Sequence, residues 1–190
     1  MVVFDTTTLL VVLAPPNKVA VIVDGKPIAD ARERVDHLIA TLAEGKTKIV
    51  IPTPALSEAL VSMDKSSAEK VVRTLDRAAA FKIAPFDTTA ALEAALMTQT
   101  AKSAGDKRGG ATGDWQKVKV DRQIVAIAKV NGARVIYSND GDVAALAASA
   151  GLQAIGIEKL PLPVPRSQLL PPLLQRIQDL ESDDDERDEG

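Results

Sequence analysis

The stretch from Arg134 to Asp142 constrains the fold more than any other part of the sequence. Its first part, Val-Ile-Tyr at positions 135–137, favours a short buried strand. Its second part, Ser-Asn-Asp-Gly-Asp at positions 138–142, follows at once and is typical of a turn rich in carboxylates. Ligands of an open α/β sheet bind at the carboxyl ends of its strands. The stretch therefore predicts such a sheet, with acids at its ligand-binding edge.

Strand and helix patterns alternate along the whole chain. Strands are predicted at 2–4, 48–51, 81–84, 134–137 and 153–157. Helices are predicted at 6–13, 29–43, from about 55, at 66–80, 87–102, 120–131 and 143–150. Residues 19–27 are typical of a short strand with an Asp-Gly turn in a β-hairpin. This alternation predicts an α/β fold with a mostly parallel central sheet and helices on both faces.

Composition limits the kinds of site that the chain can build. The 190 residues include no cysteine and one histidine, His37, which excludes thiolate and His-rich metal sites. Any metal must therefore be held by oxygen. No apolar run reaches the length of a membrane span, and the N-terminus has no signal-peptide pattern, so we expect a cytoplasmic protein that does not contact membranes.

Charge is unevenly distributed along the chain. The last ten residues carry seven acids and one arginine, so the rest of the chain is net basic although the total charge is −3. We predict a domain at 1–160, a proline-rich linker with a short helix at 161–180, and an acidic tail at 181–190. The tail is interpreted as a solvated, disordered segment, or alternatively as a polyanion mimic that occupies a basic groove.

Acidic residues recur where predicted strands end and helices begin. Asp5 follows the first strand, Glu58 lies one turn into the helix after the second strand, and Asp121 begins a later helix. Each acid also has a simpler interpretation: a turn residue for Asp5, a helix-dipole partner for Glu58 and Asp121, and a helix cap for Asp140 and Asp142. Their coincidence at one edge favours a Mg²⁺ or Mn²⁺ site.

These motifs resemble those of the PIN-domain family, which includes VapC-type toxins, over about residues 1–157. The resemblance rests on Asp5 after Val-Val-Phe, Glu58 in Pro-Thr-Pro-Ala-Leu-Ser-Glu-Ala-Leu, Asp121 in Asp-Arg-Gln-Ile-Val-Ala-Ile-Ala, and Ser-Asn-Asp-Gly-Asp at 138–142. Two departures are a longer segment at 15–26 and Val143 where the family often has Phe.

The resemblance implies a three-layer α/β/α ribonuclease that depends on Mg²⁺ or Mn²⁺. It assigns catalysis and metal binding to Asp5, Glu58, Asp121 and Asp140, with Asp142 as an auxiliary metal ligand and Ser138 in support. The implied function is a metal-dependent endoribonuclease, for example the toxin of a toxin–antitoxin pair. The alternative is a non-catalytic PIN-like module that binds RNA or a protein.

A basic, glycine-rich segment at 103–119 precedes Asp121 and predicts a flexible loop. Its cationic side chains suit an RNA backbone, although a solvated loop remains the alternative. The RNA contacts are assigned to Lys107, Arg108, Lys117 and Lys119. Candidate partners are therefore an RNA substrate, an antitoxin protein and a second copy of the chain.

Overall fold

A five-stranded sheet forms the centre of the protein. The structure is a computed structural model and describes residues 1–14, 21–23 and 26–163. The central strands are β1 Val2–Phe4, β4 Ile49–Pro52, β5 Phe81–Ala84, β6 Val135–Tyr137 and β7 Gln153–Ile155. They pair in the order β5-β4-β1-β6-β7, and all four pairings are parallel. A small antiparallel pair, β2 Ile22–Val23 and β3 Lys26–Pro27, forms the predicted hairpin.

Helices cover both faces of the central sheet. They are α1 Thr6–Leu13, α2 Ala31–Glu44, α3 Thr53–Leu60, α4 Lys65–Arg77, α5 Thr88–Ser103, α6 Trp115–Val130 and α7 Gly141–Ser149, followed by a 3-10 helix at Ile157–Lys159. Because successive strand side chains point to opposite faces, Val2 and Phe4 pack in one core with Val35 of α2. Val3 packs in the other core with Val125 of α6. The predicted PIN-like, three-layer α/β/α fold is thus confirmed.

Strand order brings the ends of β1 and β6 together. The chain passes from β1 to β4 and β5 on one side and then returns to form β6 and β7 on the other. Phe4 lies in register with Tyr137, and the Asp5 N–H donates to the Tyr137 carbonyl at 3.2 Å. The switch point of the sheet therefore lies between β1 and β6, where open α/β sheets bind ligands.

Helix α6 begins five residues earlier than the sequence pattern predicts. Residues 114–130 contain neither glycine nor proline, so nothing interrupts the helix before the glycines at 113 and 132. Lys117 and Lys119 consequently lie in α6, and the loop between α5 and α6 is limited to residues 104–114. Asp121 lies in the second turn of α6 instead of its first.

Parts of the predicted organisation lie outside the described residues. These are the turn at 24–25, the short helix of the predicted linker and the acidic tail at 181–190. The domain boundaries stay predictions. Within the ranges that the structure describes, no helix is both long and apolar enough to cross a membrane.

Candidate metal centre

The start of α7 presents two carboxylates with defined partners. Asp140 is the N-cap, and its Oδ1 accepts from the Asp142 N–H at 2.8 Å. Asp142 Oδ1 accepts from the Thr112 N–H at 2.7 Å, and its Oδ2 accepts from the Gly113 N–H at 3.2 Å. A Cβ on residue 113 would overlap Asp142 Oδ2, so only glycine allows this close approach. The end of the loop before α6 thus wraps around Asp142.

Lys117 lies among three of the predicted acids. Its Nζ is 3.1 Å from Asp121 Oδ2, 2.8 Å from Asp140 Oδ2 and 2.9 Å from Asp142 Oδ2. Lys117 and Asp121 are one helical turn apart on α6, whereas Asp140 and Asp142 belong to the start of α7. The ammonium group therefore connects the two helices through carboxylates that would otherwise repel one another.

Asp121, Asp140 and Asp142 are close enough to share one metal ion. Each offers a carboxylate oxygen, and these oxygens lie within 4.8 Å of one another. Three carboxylates from two helices supply hard oxygen ligands on one side and leave the other side for water or substrate, an arrangement that Mg²⁺ and Mn²⁺ accept. The chemistry of this donor set fits a divalent metal ion.

Asp5 adjoins this acid triad through Ser138. The Asp5 side chain is only 2% exposed, and its Oδ1 caps α1 by accepting from the Thr8 N–H at 2.9 Å. Its Oδ2 accepts a hydrogen bond from Ser138 Oγ, which in turn accepts from the Asp140 N–H at 3.0 Å. Ser138 thus holds the acid at the end of β1 and the acid turn after β6 in a fixed relation.

Glu58 approaches the same region from α3 but is not part of the acid triad. The residue is exposed, and its Oε2 accepts from Thr6 Oγ1 at 2.5 Å. Thr6 directly follows Asp5, so this hydrogen bond holds Glu58 at the start of α1. The carboxylate remains accessible from solvent.

Burial and charge move the pKa values of these groups in different directions. Burial raises the pKa of Asp5 to about 6, against the hydrogen bonds from Ser138 and Thr8. Burial also raises the pKa of Asp121 to about 6, helped by the charges of Asp140 and Asp142 and opposed by Lys117. The Lys117 hydrogen bond, together with backbone N–H donors, lowers the pKa of Asp142 to about 2. The metal-free site therefore favours protonation at two acids and ionisation at a third.

Lys117 itself is stabilised in its charged form. Burial alone would lower the pKa of Lys117, but hydrogen bonds to Asp140, Asp142 and Asp121 outweigh burial and raise it above its ordinary value. The pKa of Asp121 rises despite the same ion pair because that carboxylate is only 6% exposed and loses more hydration.

The basic segment is more ordered in its contacts than a flexible loop would be. Asp106 accepts from the N–H groups of Arg108 and Gly110 at 2.9 and 2.6 Å. Buried Arg122 of α6 donates to the Lys107 carbonyl at 2.9 Å, and both Arg122 and the Lys107 ammonium lie over the Trp115 ring. These contacts fix the loop against α6 and leave the Lys107 side chain exposed.

The predicted site residues fall into three groups. Asp121, Asp140 and Asp142 are brought together, and Asp5 and Glu58 are linked to the same edge through Ser138 and Thr6. Lys117 joins the acids, whereas Lys107, Arg108 and Lys119 lie in or just after the loop at 104–114. Sequence patterns missed four residues that shape the site, namely Thr6, Thr112, Gly113 and Arg122. The spacing of four between Lys117 and Asp121 was the available signal for the role of Lys117, but it depended on starting α6 early enough.

Comparisons with solved structures agree with the fold. A chain of VapBC2 from Rickettsia felis, crystallised with a promoter DNA fragment, matches with a TM-score of 0.54 and 13% identity, covering 82% of this chain and 98% of that chain. A chain of DNA-bound VapBC from Salmonella typhimurium matches with a TM-score of 0.50 and 14% identity, covering 82% and 97%. At these identities the likeness concerns the fold alone. No curated protein sequence matches the chain.

A sequence model of the PIN domain matches residues 19–149, which is more than half of the chain. The matched range contains Glu58, the acid triad and the basic loop, whereas Asp5 precedes it. The resemblance seen in the sequence motifs is therefore confirmed at the level of the family. The chain belongs to the PIN-domain family.

Proposed function

We propose that this protein is a metal-dependent endoribonuclease whose centre is the acid edge between β1 and β6. The observation that carries the proposal is the convergence of Asp121, Asp140 and Asp142 within 4.8 Å, with Asp5 joined to them through Ser138. When ionised, the triad and Lys117 leave an excess of two negative charges, which one divalent cation would balance. PIN-domain membership and the switch-point location support the same assignment.

Metal ligands in this proposal are Asp5, Glu58, Asp121, Asp140 and Asp142, and the metal is Mg²⁺ or Mn²⁺. A bound divalent ion supplies electrophilic stabilisation of the phosphate and lowers the pKa of a water molecule. The protein's own residues position these groups: Ser138 orients Asp5 relative to Asp140, and Thr6 orients Glu58. Exposed Glu58 is the acid placed to meet solvent and substrate.

RNA would approach over the loop at 104–114 and the first turn of α6. Lys107, Arg108 and Lys119 are proposed to contact phosphates, since they offset the repulsion between RNA and the acids. Lys117 is left out of this surface because its ammonium already contacts three carboxylates. The biological role that we propose is that of a toxin with an antitoxin partner, in line with the fold likeness to chains of VapBC complexes.

A second candidate is a non-catalytic module that binds RNA or a protein. Lys117 favours this alternative, because an ammonium group that neutralises acids lessens the electrostatic need for a metal ion. The two functions differ in a measurable way, since the module would bind RNA without cutting it.

Substitution of the acids tests the nuclease assignment. Asp5→Asn and Asp140→Asn should each abolish Mn²⁺-stimulated cleavage of single-stranded RNA, because an amide is a poor ligand for a hard cation and removes a negative charge. Both variants should remain folded, since asparagine also caps helices. Cleavage is followed by gel electrophoresis of an end-labelled RNA.

Asp64→Asn is the matched control for these variants. Asp64 caps α4 through the Ser67 N–H, as Asp5 caps α1 through the Thr8 N–H, but it lies on the exposed surface away from the acid triad. This control should cleave RNA like the parent. Full activity in both Asp5→Asn and Asp140→Asn would refute the assigned centre.

A further inference from the structure

Lys117 contacts the same oxygens that a metal ion in the acid triad would need. Its Nζ approaches the Oδ2 atoms of Asp121, Asp140 and Asp142 at distances between 2.8 and 3.1 Å. The Oδ1 atoms of the last two acids are engaged elsewhere, with the Asp142 N–H and the Thr112 N–H respectively. The oxygens that face the centre of the triad are therefore those already bonded to the ammonium group.

An ammonium and a divalent ion cannot occupy that centre together. Mg²⁺ holds oxygen ligands at about 2.1 Å, so an ion bound to these oxygens would lie within the contact distance of Nζ. Two cations at that separation repel each other strongly. The Lys117 side chain is 45% exposed, so it has a path along which the ammonium can leave for solvent.

We infer that Lys117 is an internal substitute for the metal: its ammonium holds the acid triad together in the metal-free protein and leaves when a divalent ion binds. Lys117 is thus a positioning residue that sets metal affinity and stabilises the junction of α6 and α7 without metal. This inference rests on the metal site of the proposed function but not on RNA cleavage.

Removal of the ammonium should affect metal binding and stability in opposite senses. Lys117→Met keeps a long, flexible side chain without charge. We expect it to bind Mn²⁺ at least about tenfold more tightly in isothermal titration calorimetry, because no cation has to be displaced. In EDTA, the same variant should unfold at a temperature several degrees below that of the parent, since three carboxylates then lack their counter-charge.

Lys119→Met is the matched control. Lys119 lies on the same helix two residues away and carries the same charge, but it makes no ion pair within the described part of the chain. The control should change Mn²⁺ affinity and metal-free stability little. Lys117→Arg, which keeps a positive charge at the site, should retain weak, parent-like Mn²⁺ affinity.

Several outcomes would overturn the inference. Unchanged or weaker Mn²⁺ binding by Lys117→Met would do so, as would equal effects of Lys117→Met and Lys119→Met. Failure of both parent and variant to bind Mn²⁺ would overturn it together with the metal site. Tighter binding in a protein that cuts no RNA would support the role of Lys117 and refute only the nuclease.

A measurement on the parent protein avoids any dependence on folded variants. In the metal-free protein, the Lys117 ammonium protons should exchange slowly enough to give a side-chain signal by NMR, because three carboxylates hold them. Saturating Mg²⁺ should shift or remove that signal. A Lys117 signal that does not respond to bound Mg²⁺ would contradict displacement.

Discussion

At the scale of single residues, Asp5 combines three roles that usually belong to different side chains. It caps α1 through the Thr8 N–H, accepts from Ser138 and faces the acid triad with almost no exposure to solvent. Burial is the dominant influence on its pKa and raises it to about 6. The buried carboxylate is therefore costly in its ionised form unless a cation compensates it.

This cost predicts how the metal-free protein responds to pH. The pKa of Asp5 is about 6 in the folded state and 3.8 as its ordinary value, so the folded state binds the proton more tightly. Acidification from pH 7.5 to 5 should consequently stabilise the fold, by roughly 1 kcal/mol from this group. Asp121 should contribute in the same direction, because its pKa is raised likewise.

Thermal unfolding in EDTA measures the effect. The parent should gain more stability on acidification than Asp5→Asn, because asparagine does not titrate, and the difference between the two isolates Asp5 from all other titrating groups. An equal gain in both proteins would show that Asp5 is ionised as easily in the folded state as in the unfolded state.

At the scale of elements, the junction of the loop at 104–114 with α6 determines which charges face RNA and which face the acids. Lys107 and Arg108 belong to the loop that Asp106 and Arg122 hold in place, whereas Lys117 turns into the acid triad one helical turn before Asp121. Basic residues that are close in sequence are thus divided between two tasks.

Replacing Lys107, Arg108 and Lys119 together with alanine should weaken RNA binding and flatten its salt dependence. Each lost phosphate contact releases fewer counterions and reduces the slope of log affinity against log salt by about 0.7 for a single strand. Metal affinity should change little, because none of these residues contacts a carboxylate of the triad in the described structure. Fluorescence anisotropy with labelled RNA at several salt concentrations measures both quantities.

A triple alanine variant of Lys65, Lys70 and Arg73 serves as the control, since these exposed residues of α4 remove the same charge from another surface. Similar losses of affinity in the two triple variants would mean that net charge, and not the loop, governs binding.

At the scale of the whole molecule, topology explains why local patterns predicted so much of the acid edge. A parallel sheet with β1 beside β6 sets Asp5 next to Ser138 whatever the intervening 132 residues do, because the two positions follow paired strand residues. The sequence could therefore predict the fold and the edge at which acids gather.

Contacts between distant segments could not be predicted in the same way. The approach of Gly113 to Asp142 depends on how the loop before α6 packs on α7, and the three contacts of Lys117 depend on where α6 begins. A local pattern of charges in that segment suggested a solvated, RNA-facing loop. Only the packing of α6 against α7 turns one of its lysines toward the acids.

The central claim, that this acid edge is a metal-dependent nuclease centre, is tested most directly by removing the metal and restoring it. Purified protein treated with EDTA and then dialysed should leave a single-stranded RNA intact, and added Mn²⁺ should restore cleavage in the parent but not in Asp140→Asn. Cleavage that persists in EDTA, or that Mn²⁺ restores equally in Asp140→Asn, would contradict the claim.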